Sequence, residues 1–183
     1  MLSLSYLLYI VLYLIHDIFL ERRDIVATQY KQSICLNGHQ ITDEFSPNET
    51  VTGYCEQCGA KLIDSCPHCK YPIEGFYYPD GVVYLRSPND KLPVPKYCKK
   101  CGTPYPWTKD SLDALNEVIQ LSNLSIQDKE SLQASTPDLL VDTPRTKVAV
   151  LKWKTIGKSI LNLAHDIIVE VASESITKAI YGN

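Results

Sequence analysis

Seven cysteines, arranged as closely spaced pairs, constrain the fold of this chain more than any other feature of its sequence. Three C-x-x-C pairs and one C-x-x-x-H pair supply eight candidate metal ligands. They are Cys35 and His39, Cys55 and Cys58, Cys66 and Cys69, and Cys98 and Cys101. Each pair can direct two side chains at one ion, and tetrahedral zinc takes four ligands. The sequence therefore predicts two structural Zn²⁺ sites.

A disulfide framework and a thioredoxin-like redox pair are the alternatives to metal binding. Seven cysteines cannot all pair, and His39 stands where an eighth cysteine would complete the set. A redox C-x-x-C of the thioredoxin kind lies between a strand and a helix in a βαβ unit, and no such pattern surrounds these pairs. Metal binding is therefore the favoured interpretation.

The four pairs can be combined into two sites in three ways. In the sequential arrangement the first two pairs share one ion and the last two share the other, with a hairpin-length segment between the halves, as in a zinc ribbon. In a cross-brace the first and third pairs share an ion, and this alternative stays open. Either way four protein ligands fill each site, which leaves no position for an activated water. We therefore expect the ions to be structural and the chain not to be an enzyme.

The segments around the pairs predict a small α+β fold. Gly59 and Gly102 follow the second cysteine of their pairs, where the chain must turn sharply. Residues 76–78 and 82–86 predict two short strands joined by a Pro-Asp-Gly turn. We expect residues 31–107 to form a tandem zinc ribbon made of short β-hairpins and zinc knuckles.

Residues 108–183 predict a helical region. Thr108 is a candidate N-cap for a first helix and Ser125 for a second. Thr143-Pro144 predicts the start of a third helix, and the apolar periodicity continues from there to about Tyr181. We therefore expect one long amphipathic helix. Its predicted buried face carries Ala149, Trp153, Ile156, Ile160, Leu163, Ala164, Ile167 and Val171.

The first twenty residues are apolar and carry no charge before Asp17. A helix of this length just spans a bilayer. Because Arg22, Arg23 and Lys31 follow it, the positive-inside rule predicts a single-pass inner-membrane protein with its N-terminus outside and its zinc domain in the cytoplasm. A polar stripe along the segment favours a different interpretation, a helix that docks on the fold or on a partner. A wrongly assigned start is the third interpretation.

The predicted organisation has three parts. Residues 1–30 form an N-terminal hydrophobic helix and linker, residues 31–107 the double zinc-ribbon domain, and residues 108–183 the helical region. A reducing cytoplasm suits free thiolate ligands. We expect the zinc domain there, either tethered to a membrane through residues 1–20 or in a wholly soluble protein.

The charge of the chain argues against general binding to nucleic acid. The formal net charge is −3, and seven thiolates with two zinc ions would make it about −6. Lys96, Lys99 and Lys100 beside the aromatic hairpin keep nucleic acid as an alternative partner. Residues 108–142 contain two basic and seven acidic side chains and directly precede a basic segment. Charge blocks of this kind often pair within a fold.

Five motifs occur in order along the chain. They are ICLNGH (34–39), CEQCG (55–59), CPHC (66–69), YCKKCGTPYPWT (97–108) and DTPRT (142–146). With these motifs the chain resembles, over about residues 33–180, a family of small bacterial proteins of unknown function that carry zinc-ribbon knuckles. The resemblance implies a bacterial source, metal ligands at the eight positions above and a helical C-terminal region. Family members start close to the first motif, so residues 1–30 depart from the family pattern.

Taken together, these features indicate a non-enzymatic, zinc-stabilised interaction or adaptor protein. Two filled metal sites, the lack of a catalytic motif such as H-E-x-x-H and an amphipathic terminal helix support this interpretation. We expect a protein partner and no small-molecule substrate. One alternative is a zinc-ribbon protein that binds nucleic acid. The other is a membrane-acting effector whose terminal helices insert into lipid.

Overall fold

The computed structural model describes residues 27–82, 85–87 and 89–182. Within these ranges four β-strands precede five α-helices, so the predicted α+β class is confirmed. The predicted N-terminal hydrophobic helix lies outside the described residues. Among the helices that are described, none is long and apolar enough to cross a membrane.

The backbone packs into two compact units. The sheet unit contains the described residues up to Cys35 together with segments 40–65 and 72–93. The helical unit contains segments 36–39 and 66–71 and the described residues from Val94 onward. The three-part division predicted from the sequence stays a prediction.

A four-stranded antiparallel sheet forms the sheet unit. Its strands are β1 (Thr28–Cys35), β2 (Gln40–Phe45), β3 (Leu62–Ile63) and β4 (Glu74–Tyr78). β1 is the central strand, because it pairs with β2 along one edge and with both β3 and β4 along the other. The last four residues of β1 are accordingly buried. They lead directly into the first pair of candidate metal ligands.

The strand predicted at 76–78 is confirmed as part of β4. The strand predicted at 82–86 is not found, since none of the described residues of that segment is in a strand. β4 pairs with β1 instead. Arg86 is held over the ring of Phe76, at 4.0 Å from its centroid, and forms an ion pair with Asp43. For the described residues of this segment, the contacts of Arg86 therefore stand in place of the predicted strand pairing.

Five α-helices form most of the helical unit. They are α1 (Pro106–Leu121), α2 (Ile126–Ser135), α3 (Pro144–Thr155), α4 (Leu161–Val171) and α5 (Glu174–Tyr181). Their buried core contains Leu115, Ile119, Leu132, Leu139, Leu140, Ala149, Trp153, Ile160, Ala164, Ile168, Ile176 and Ile180. An amphipathic face of every helix contributes to this core, which is why short helices can be stable here.

Two of the three predicted N-caps are confirmed. The Ser125 hydroxyl accepts a hydrogen bond from the backbone N–H of Asp128 at 3.2 Å. Thr143 forms a capping box with Thr146. The assignment of Thr108 is wrong, because α1 already begins at Pro106 and the Thr108 hydroxyl donates to a loop carbonyl.

The single long helix predicted from residue 144 onward is wrong. A 3₁₀ turn at Gly157–Ser159 separates α3 from α4, and an extended residue, Ser173, separates α4 from α5. Gly157 packs so closely on Trp153 that an added Cβ would lie 3.2 Å from the indole ring. Glycine favours this close approach and weakens a continuous helix. The break also changes which side chains are buried, because Leu163 is 74% exposed.

Candidate metal centres

The three C-x-x-C pairs form backbone turns of one kind. In each turn, the N–H four residues after the first cysteine donates to the carbonyl of that cysteine. The donors and acceptors are Gly59 and Cys55 (2.7 Å), Lys70 and Cys66 (2.9 Å), and Gly102 and Cys98 (2.8 Å). All three donors have left-handed backbone, with φ between 62° and 71°. The turn predicted after two of the pairs is therefore present after all three.

The first candidate centre contains Cys35, His39, Cys55 and Cys58. Cys35 ends β1, and the Asn-Gly turn that follows brings His39 back towards it, with Gly38 at a φ of +89°. Cys55 and Cys58 come from the turn that precedes β3. The ligand atoms of the four residues all lie within 4.8 Å of one another, so this group can hold a metal ion.

The second candidate centre contains Cys66, Cys69, Cys98 and Cys101. Its first two sulfurs come from the turn after β3 and the other two from the turn before α1. The four sulfurs again lie within 4.8 Å of one another. In both centres the first cysteine of each C-x-x-C is buried, whereas Cys58 and Cys101 are exposed. Each centre therefore has one edge towards solvent.

The sulfur separations match a tetrahedral metal site. Four sulfurs placed about 2.3 Å from one ion stand roughly 3.8 Å apart. The observed separations are 3.7 Å for Cys35 and Cys58, 3.8 Å for Cys66 and Cys101, and 3.6 Å for Cys69 and Cys98. A disulfide needs about 2.05 Å, and all seven cysteines are free. The grouping is that of the sequential arrangement and not of the cross-brace.

The pKa values of two sulfurs in the second centre are shifted in opposite directions. The backbone N–H of Tyr71 acts to lower the pKa of Cys69, but burial and the neighbouring sulfurs outweigh it and raise that pKa to about 12. Hydrogen bonds from Thr103 lower the pKa of Cys101 to about 5. An incoming metal ion must displace the protons that remain, so metal binding releases protons and is weakened by acid.

Tyr105 supports the second centre and was missed by the sequence reasoning. Burial raises the pKa of its hydroxyl, and the charges of Cys98 and Cys66 beside it act in the same direction. The Tyr105 ring stacks on the indole of Trp107, with 4.8 Å between the ring centroids. The sequence does contain a signal for this role. An aromatic residue stands shortly after the last C-x-x-C pair, where a small zinc module needs a large side chain to pack against the metal site.

The side chains considered for nucleic-acid binding are only partly available. Lys96 is half-buried, and its ammonium donates to the carbonyl of Leu140 at 3.4 Å. Lys99 and Lys100 are exposed beside the second centre, where Lys100 lies 5.8 Å from the Tyr71 ring.

In the predicted aromatic hairpin, Phe76 is covered by Arg86, and the Tyr78 hydroxyl donates to Glu44 at 2.8 Å. Tyr77 is the one of this group that is mostly exposed among the described residues, at 51%. The predicted stacking platform is therefore largely occupied within the fold. Binding of nucleic acid stays a prediction.

Comparison with known proteins gives one match. The sequence model of a family described as "Uncharacterized protein conserved in bacteria (DUF2321)" matches residues 28–180. No curated protein and no solved structure matches the chain. The matched range contains all eight candidate ligands and all five described helices except the last residue of α5.

Proposed function

We propose that this chain, which belongs to the bacterial family whose model spans residues 28–180, is a zinc-stabilised module that binds a protein partner and catalyses no reaction. The observation that carries the proposal is the completeness of the two centres. Each offers four protein donors within 4.8 Å of one another. A catalytic zinc typically has three protein ligands and keeps one position for water or substrate.

The donor types favour zinc. Seven thiolates and one imidazole are soft or borderline ligands, which select zinc over the oxygen-seeking magnesium and calcium. One centre has the donor set Cys₃His and the other Cys₄, both of which are common for structural zinc. Binding at such sites contributes on the order of 10 kcal/mol to folding. The two ions therefore stabilise a fold whose strands are short.

Cobalt substitution tests whether the centres are closed. We expect protein purified without added metal to contain two zinc ions per chain, and Co²⁺ to replace them with the intense visible bands of tetrahedral thiolate coordination. Azide or thiocyanate should leave that spectrum unchanged, because four protein ligands already surround each ion. A spectrum that shifts with added anion would reveal an open position and contradict the non-catalytic assignment.

A membrane tether through residues 1–20 is a separate part of the proposal. Its basis is the apolar sequence followed by basic residues. Carbonate extraction of membranes should leave the full chain in the pellet and a chain that begins at Lys31 in the supernatant. If the full chain is also extracted, the segment is not an anchor and the module works without a tether.

A further inference from the structure

A groove runs along the surface of the helical unit between α1 and α4. Its cavity measures about 240 Å³, and its walls include Trp107, Ala114 and Ile167. A second cavity of about 120 Å³ is lined by Trp107 as well, and by two further residues of the first cavity, Ser111 and Glu170. The two cavities are therefore parts of one groove, whose lining is partly apolar and partly polar.

Two carboxylates from different helices line this groove. Asp110 belongs to the first part of α1 and Glu170 to the last turn of α4. Within the described part of the chain, no residue forms an ion pair or a side-chain hydrogen bond with either of them. The neighbouring Lys109 pairs with Asp113 at 2.6 Å.

The position of Glu170 is unfavourable for the helix that carries it. The C-terminus of a helix bears a partial negative charge, and α4 has no basic residue in its last turn. Glu170 and Asp110 add two more negative charges to the groove. Lys96 lines its smaller cavity, where the ammonium donates to the carbonyl of Leu140. One positive charge therefore stands against two carboxylates and a helix C-terminus, and a second cation placed beside Asp110 and Glu170 would be stabilised by the remaining negative potential.

The aromatic wall of the groove is held in place before any ligand binds. Trp107 donates its indole N–H to the carbonyl of Pro95 at 2.9 Å and stacks on Tyr105. Gly38 packs against the same side chain, where an added Cβ would lie 3.0 Å from the Cβ of Trp107. A side chain fixed in this way loses little conformational entropy when a partner covers it.

We propose that this groove receives a lysine or arginine side chain of a partner protein. The inference rests on the proposed function and identifies the binding surface of the module. The methylene stem of the partner's side chain lies along Ala114 and Ile167, and its charged head ends between Asp110 and Glu170. Long basic side chains suit such a site, because they combine an apolar stem with a cationic tip.

Charge complementarity extends beyond the two carboxylates. Residues 108–142, which include most of α1, contain seven acidic and two basic side chains. An acidic surface of this kind speeds the approach of a basic segment and disfavours acidic ones. The groove orients the partner's side chain, and the surrounding negative charge makes binding selective for basic partners.

Peptide binding to the full-length, zinc-loaded protein tests the proposal. The probes are two fluorescent 11-residue peptides with a central Leu-Lys-Leu or Leu-norleucine-Leu, which differ only in the charge of one side chain. By fluorescence anisotropy we expect the lysine peptide to bind about ten-fold more tightly. Equal affinity of the two peptides would overturn the proposal.

A charge-matched pair of variants localises the effect. Asp110→Asn with Glu170→Gln should abolish the preference for lysine. Glu117→Gln with Glu130→Gln removes the same charge from exposed positions outside the groove and should preserve it. If both double variants lose the preference equally, binding depends on net charge and the groove is not the site.

A further variant asks whether the basic residues of the chain itself fill the groove. If Arg22→Gln with Arg23→Gln tightens peptide binding about five-fold or more, the occupant is this chain's own segment and the partner proposal is overturned. Zinc content is measured for every protein. If the natural protein holds two zinc ions but shows no preference for lysine, this inference alone is refuted, whereas a natural protein that never holds two ions refutes the proposed function.

Discussion

Arg86 and Asp43 form an ion pair in the sheet unit, with 2.8 Å between Nη2 of the guanidinium and Oδ2 of the carboxylate. Both side chains are largely buried, at 12% and 6% exposure. The same carboxylate accepts the backbone N–H of Leu92 at 2.8 Å. The Asp43 carboxylate on β2 therefore binds two residues, Arg86 and Leu92, of the long loop that follows β4.

The first prediction concerns this ion pair. Burial acts to raise the pKa of Asp43, but the hydrogen bonds from Arg86 and Leu92 outweigh it and bring that pKa below its usual 3.8. The stabilising effect is therefore present above pH 3.8 and is lost as the pH falls through the lower pKa of the folded protein. We expect Asp43→Asn to destabilise the protein by about 2 kcal/mol at pH 7, because the guanidinium loses its buried partner and keeps only the more exposed Glu44.

Urea unfolding of both proteins at a series of pH values checks this prediction. Zinc release in acid affects both proteins, so the difference between their unfolding free energies isolates the carboxylate. That difference should shrink as the pH drops below 3.8. If the difference in unfolding free energy stays constant down to pH 3, Asp43 stabilises the fold through its packing and not through its charge.

The second prediction concerns the pairing of the metal ligands. The geometry assigns Cys35 and Cys55 to one centre and Cys66 to the other. Replacing both Cys35 and Cys55 with serine should therefore leave one zinc ion per chain, whereas replacing Cys35 and Cys66 should remove both. Zinc content of the purified variants, measured by mass spectrometry, gives the answer directly. A cross-brace would produce the reverse result.

His68 supplies the control for these metal measurements. It lies between Cys66 and Cys69 but does not belong to either group of four ligands. His68→Ala should therefore retain both ions. Loss of an ion in this variant would mean that the imidazole replaces one of the assigned sulfurs.

Local spacing explains why the metal centres could be predicted from the sequence. A C-x-x-C turn places two sulfurs together whatever the rest of the chain does, and the sequential arrangement needs only short connections between the pairs. The caps at Ser125 and Thr143 are equally local, since each involves the next three residues. These features depend on neighbours in sequence and were predicted correctly, whereas the cap assigned to Thr108 was wrong.

The errors arose where distant residues decide the local structure. Leu163 and Ile168 both suit a helix, but only a helix broken at Gly157 buries Ile168 and exposes Leu163. Periodicity alone cannot show this break, because it depends on the contact of Gly157 with Trp153. β4 likewise pairs with β1, more than forty residues earlier in the chain.

The third prediction concerns the close approach of strands at Gly75. An added Cβ would lie 2.1 Å from the carbonyl oxygen of Asp43 and 2.7 Å from the backbone of Lys31. Because both neighbours are backbone atoms of paired strands, neither can move without breaking sheet hydrogen bonds. We expect Gly75→Ala to cost roughly 3 kcal/mol or more of unfolding free energy.

Gly102→Ala provides the comparison for that experiment. Its Cβ would meet nothing within 4 Å, although the backbone there is left-handed. The expected loss is only about 1 kcal/mol, from backbone conformation alone. Thermal unfolding that ranks the two variants in the opposite order would contradict the steric explanation at Gly75.

The last prediction concerns Lys70, which takes the place that glycine has in the other two C-x-x-C turns. Its φ is 62°, in the left-handed region that disfavours residues with a Cβ. Lys70→Gly removes a strain of about 1 to 2 kcal/mol, and the greater flexibility of the unfolded chain takes back up to roughly 1 kcal/mol. We therefore expect a net stabilisation of about 0.5 to 1 kcal/mol, measured by chemical denaturation in the presence of zinc.

Two matched variants separate backbone strain from the lysine side chain. The Lys70 ammonium donates to the carbonyl of Pro67 at 2.9 Å, and Lys70→Ala removes that contact while it keeps the strained Cβ. This variant should be no more stable than the natural protein. Gly102→Lys introduces the strain at the equivalent position and, by the same balance, should destabilise by about 0.5 to 1 kcal/mol. If Lys70→Gly and Lys70→Ala change stability equally, the side-chain contact and not the left-handed backbone determines the effect.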